Sequence, residues 1–300
     1  MEQISAARLA ELPATQWQQA KERVAVVRRY LRAGDTSMDA VTRHAEELGI
    51  GRGMFYRLVR VVKVWDDSKE PARPRARRKP ADAASATLAS EAVARSGLGA
   101  SLEEAIAAAV LLARSRGVAP PSERAIRGAY GLVRAGHAIR DRLKLGGSFA
   151  IDATALEVSI TTGEAGSIAV LTAVVDLRTG TLVTWRISAG EADPSTLSLL
   201  VEGALPSLAG VRSITVSSAL PNAIRPILVD AGIATEEQGG PGGAILKAAL
   251  GAKIGRIRLL PRYFSRGSEI ETPMVKFDDL HAVVTELLAV AGLTIDSSAT

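Results

Sequence analysis

The feature that most constrains the fold is a change of hydrophobic period at Gly146-Gly147. Before it, apolar residues recur every three or four positions; after it, they alternate or run unbroken in short stretches. Trp17, Ala20, Val24, Val27, Tyr30 and Leu31 define an amphipathic helix within 14–32, with Lys and Arg on the other face. Ser37 is placed to cap a second helix carrying Met38, Val41, Ala45 and Leu48, and Gly49 supplies the turn into a third that begins near Arg52. A helix, a glycine turn and a helix bearing Arg52, Arg57, Arg60 and Lys63 form the pattern of a helix-turn-helix. A second helix pair follows: Ser101 and Glu104 form a capping box, and the helix after the Pro-Pro break carries Arg124, Arg127 and Arg134.

After the switch, SFAIDATALEVSI, SIAVLTAVVDL and TLVTWRIS read as strands, with RTG as a tight hairpin between the last two. Asp193 and Pro194 then open a helix, VRSITVSS is a buried strand, and the order continues as helix, short strand, helix. Three antiparallel strands followed by alternating helices and strands predict an α/β fold with a ribonuclease H-like mixed sheet, preceded by an all-α helix-turn-helix region. The predicted boundaries are 1–66 for the helix-turn-helix domain, 67–98 for a basic Pro/Ala-rich linker and 99–144 for the second helical unit. The core then covers 145–265, and a C-terminal helix and tail 266–300.

Charge divides along the same line. Residues 1–150 hold 26 Lys and Arg against 16 Asp and Glu, whereas 151–300 hold 11 against 16. A basic half of this kind attracts a polyanion through phosphate neutralisation and counterion release, so double-stranded DNA is the expected partner. Arg75, Arg77, Arg78 and Lys79 in the linker extend that basic surface as an arm would. The chain has no Cys, which excludes disulfides and thiol chemistry and fits a reducing cytoplasm. Its apolar runs are interrupted well short of a membrane span, so a soluble protein is expected. His44, His137 and His281 lie far apart with no ligand spacing, GGPGG lacks the Lys-Ser/Thr of a P-loop, and no Gly-x-Ser-x-Gly elbow occurs.

Asp152, Ala153, Thr154, Leu156 and Glu157 in FAIDATALEV, Asp176 at the end of the next strand, and GRIRLLP at 255–261 agree in order with one family. The chain resembles the core of retroviral-integrase superfamily transposases of the phage Mu type. That resemblance implies a DNA-bound, bacterial, nucleoid-associated protein that assembles with itself or with an active transposase. It also implies three carboxylates holding two Mg²⁺ for phosphoryl transfer. Asp152 stands at the first acid. Ser217 stands at the second, and Lys247, or Leu246 when counted forward from Gly242-Gly243, stands at the third.

With two of three acids replaced, the expectation is a DNA-binding protein whose strand-transfer core has decayed and which needs no cofactor. Two alternatives stay open. One is an active, Mg²⁺-dependent transposase with a rearranged acid set drawn from Asp176, Glu236, Glu237 or Glu157, although the five-residue offset of Glu157 places it on the strand face opposite Asp152. The other is a transcription regulator that uses the core to dimerise.

Overall fold

The computed structural model describes residues 4–67, 83–97, 100–162, 165–218, 220, 222–239, 242–260 and 272–291. The chain forms two compact units, 1–79 and 80–300.

The first unit contains α1 (Ala6–Ala10), α2 (Trp17–Ala33), α3 (Met38–Glu47) and α4 (Arg52–Asp67). Ser37 caps α3 by accepting the Ala40 N–H at 3.2 Å, as its place before an apolar-periodic run predicts. Val27, Val41 and Phe55 are fully buried between the helices, and the Tyr30 and Phe55 rings meet edge-on at 5.2 Å. Arg28 of α2 grips Asp66 of α4 through two hydrogen bonds, of 2.6 and 3.2 Å.

The second unit begins with α5 (Ala83–Ser96), α6 (Leu102–Ser115) and α7 (Glu123–Leu143). The expected linker over 67–98 therefore needs correction, because residues 83–96 within it are helix. Leu88, Ala89, Ala92 and Val93 recur at helical spacing and are buried in one cluster with Ala105, Ala109, Leu112 and Ile126. Alanines on that face give little hydropathy contrast, which is why the Pro- and Arg-rich run ahead of it dominates the sequence pattern. The Ser101–Glu104 capping box forms in both directions, at 3.2 and 2.6 Å.

The sheet follows as β1 (Phe149–Thr162), β2 (Ala165–Asp176), β3 (Thr181–Ala189), α8 (Pro194–Ala204), β4 (Ser213–Ser217), α9 (Ile224–Asp230) and β5 (Ala234–Gln238). The chain then runs through α10 (Ala244–Leu250), β6 (Lys253–Ile254), β7 (Ile257–Leu260), β8 (Met274–Val275) and α11 (Phe277–Ala291). The strand order is β3-β2-β1-β4-β5, with β2 antiparallel to both β1 and β3, and with β4 parallel to β1 and β5 parallel to β4. The far half of β1 pairs with β7 and β8, so part of the expected C-terminal tail belongs to the sheet.

The helical cluster and the sheet are also not separate. At Gly136 of α7 a Cβ would run into the backbone of Leu177 and Arg178 in the β2–β3 turn, so only glycine lets the helix lie so close. The expected division at 144/145 therefore falls inside one compact unit.

Successive residues of β1 point to opposite faces. Phe149, Ile151 and Ala153 enter an apolar core with Leu197, Leu200 and Leu228 of α8 and α9. Asp152 and Thr154 point the other way, towards α10. Among the described residues, no helix is long and apolar enough to cross a membrane.

Candidate functional site

Asp152 lies at the centre of the sheet on its middle strand, 1% exposed. A lone carboxylate there would be costly, and the chain meets it with donors. Oδ1 accepts the N–H of Ala153 at 2.8 Å and of Gly243 at 2.9 Å. Oδ2 accepts those of Ile245 at 2.9 Å and Leu246 at 3.1 Å. The Ser217 hydroxyl, from the end of β4, adds a fifth hydrogen bond. Burial pushes the Asp152 carboxyl above its ordinary value, against the pull of these donors.

This network accounts for α10. Seven residues, AILKAAL, are too few for a helix to persist alone in water. The residue before it, Gly243, has no side chain to cap the free N–H groups, so Asp152 caps them from β1. Gly243 holds φ of +85°, and a Cβ there would lie 2.6 Å from Oγ1 of Thr154, which itself donates to the Leu260 carbonyl at 2.7 Å.

Ser217 therefore does converge on Asp152, and so does Leu246, through its backbone N–H rather than its side chain, which is fully buried in the core. Lys247 takes a different direction and lines a cleft with Arg142 of α7. The alternative acids do not assemble around Asp152. Asp176 faces Phe149 across the β1–β2 pair, three positions from the Ala173 that faces Asp152 and hence on the other face. There it binds Arg178 through two hydrogen bonds of 2.8 and 2.9 Å and shapes the hairpin turn. Glu236 and Glu237 belong to β5, where they meet Ser213 at 2.6 Å and Arg225 at 2.5 Å. Glu157 lies 3.8 Å from Arg258.

These residues do not fit the metal pair that the resemblance implies. A carboxylate offers about four lone-pair positions, and Asp152 spends all of them on N–H and O–H donors, whereas Mg²⁺ needs bare oxygens at about 2.1 Å. Among the described residues, no three His, Cys, Asp or Glu converge. The histidines have other roles: His44 stacks on Phe55, His137 meets Asp141 at 2.8 Å, and His281 lies against Trp185.

The basic candidates fall on two helices. Arg52, Arg57, Arg60 and Lys63 are exposed on α4, and no carboxylate among the described residues pairs with them. By contrast, Arg28, Arg29, Arg116, Arg178 and Arg225 all bind acids. Arg124 and Arg127 are exposed on α7, the latter held by Glu123 at 2.6 Å. Arg75, Arg77, Arg78 and Lys79 lie outside the described residues.

Sequence reasoning placed Thr154 in the strand motif and used Gly243 only to count from, so it missed the packing role of both, and it missed Arg142 altogether. The available signal was a glycine pair ahead of a helix too short to stand alone, with a strand aspartate unaccounted for. Compared with known proteins, the chain matches no family model and no curated sequence.

Proposed function

We propose that this chain is a transposase- or integrase-like DNA-binding protein whose ribonuclease H-like core holds its one remaining acid in a structural role. The reading is carried by α4: the second helix of a helix-turn-helix presents four cations that face no carboxylate among the described residues, which leaves them for phosphates and base edges. The strand order β3-β2-β1-β4-β5, with an aspartate at the centre of the middle strand, supports the ribonuclease H-like assignment. Against strand-transfer chemistry stands Asp152 itself, whose oxygens are engaged by Ala153, Gly243, Ile245, Leu246 and Ser217. In this reading the protein occupies DNA without cutting it, alone or beside an active partner.

The test has two parts. Full-length protein is titrated onto duplex DNA across a salt series, and log K should fall linearly with log salt, with Arg57→Ala/Arg60→Ala lowering the slope by about 2. The same protein should neither nick nor join DNA in Mg²⁺ or Mn²⁺. Salt-independent binding, or no binding at low salt, defeats the DNA reading; metal-dependent joining that disappears in Asp152→Ala defeats the structural reading of Asp152.

A further inference from the structure

We infer that the cleft between the last turn of α7 and α10 is a phosphodiester-binding site, where Lys247 and Arg142 contact a DNA backbone by side-chain charge alone; this rests on the DNA-binding reading above. The cleft measures about 510 Å³ and carries Arg142 on one wall and Lys247 on the other. The rest of the lining is Leu143, Gly242, Ala244, Ala248, Gly251 and Ala252, none of which carries a charge.

Among the described residues, no Asp or Glu lines the cleft. Lys247 is the one titratable residue of α10, and among the described residues neither it nor Arg142 forms an ion pair. The acid next in sequence, Asp141, is held by His137 at 2.8 Å. The head of α10 contributes nothing further, because the N–H groups of Gly243, Ile245 and Leu246 already bond to Asp152. The two side chains are therefore the charge in this cleft, and they complement each other: a guanidinium meets phosphate oxygens as a two-pronged fork, while an ammonium meets them as a compact point charge. Two cations lining one otherwise uncharged cleft repel each other, and an anion bound between them relieves that repulsion.

The experiment uses full-length protein and a 30-base-pair duplex, with affinity read by fluorescence anisotropy across a salt series. Arg142→Ala/Lys247→Ala should lower the salt slope by about 1.8 and weaken binding about 10- to 60-fold at 0.1 M salt, the share of two phosphate contacts. Lys247→Arg should keep the wild-type slope. If circular dichroism shows the double variant unfolded, Arg142→Gln and Lys247→Gln are measured singly, each with an expected slope change of about 0.9. An unchanged slope in these variants, while Arg57→Ala/Arg60→Ala still weakens binding, overturns the cleft and leaves the DNA reading intact. A wild-type protein that binds no duplex overturns both.

Discussion

Asp152 of β1 accepts the backbone N–H of Gly243 at 2.9 Å across 91 residues of chain, and so does for α10 what an N-cap side chain does for an ordinary helix. A carboxylate that anchors backbone in this way is held by geometry, and its removal should be felt as lost stability before anything else.

Asp152→Asn keeps the shape and one acceptor oxygen but turns an NH₂ group towards N–H donors. Stranding buried donors in this way costs about 1–3 kcal/mol for each unsatisfied group. The expected loss in urea unfolding is about 2–4 kcal/mol, with the amide exchange of Ile245 and Leu246 accelerated first. A variant as stable as wild type would show that α10 does not depend on Asp152.

The pH dependence follows from the raised Asp152 value. Below the ordinary carboxyl value of about 3.9, folded and unfolded chains are both protonated and the group favours neither. As pH climbs from there towards the higher folded value, the unfolded chain ionises first, so stability falls with rising pH and levels off above it. Asp35, Glu104 and Asp193 are lowered, chiefly by hydrogen bonds from Ser37, Ser101 and Ser195 respectively, and act in the opposite sense. Subtracting the stability profile of Asp152→Asn from that of wild type removes these contributions, and the difference should decline as pH rises through that window.

Thr172→Val should stabilise the second unit. Thr172 is 1% exposed between Val170 and Val174 on the face that meets α8, and its hydroxyl has no partner among the described residues. Valine keeps the shape and the strand preference while removing an unsatisfied polar atom, worth about 1 kcal/mol. A shift of the urea midpoint to higher concentration at constant m-value checks it.

Gly53→Ala should separate stability from binding. Gly53 lies in the first turn of α4, exposed, with nothing within 4 Å of the place a Cβ would occupy and no positive φ, so the fold itself has no need of glycine there. Alanine should raise stability by about 0.5–1 kcal/mol. Duplex affinity should fall, because Gly53 lies on the outward face with Arg57 and Arg60. An equal or tighter complex would place the duplex elsewhere.

The helices and strands whose signals are local were legible in the sequence. Ser37, Ser101 and Asp193 stand where caps belong and act as caps, and the RTG turn joins β2 to β3. Asp152 was legible as a buried strand acid. What escaped is long-range or low in contrast. The alanine-rich face of α5 is too weakly apolar to stand out beside the Pro-Arg run. The pairing of β1 with β8 joins Ser159 to Met274, far beyond any sequence window. The position of Lys247 could be counted along the chain, but its direction, towards α7 instead of Asp152, depends on how seven residues are pinned by one carboxylate.

Helix α7 is 21 residues long, about 31 Å from end to end, and it belongs both to the helical cluster of α5 and α6 and, at Gly136, to the β2–β3 turn. One unbroken run of backbone therefore carries Arg124 and Arg127 at one end and meets the sheet's hairpin further along, so the cluster and the sheet share a single element instead of a linker.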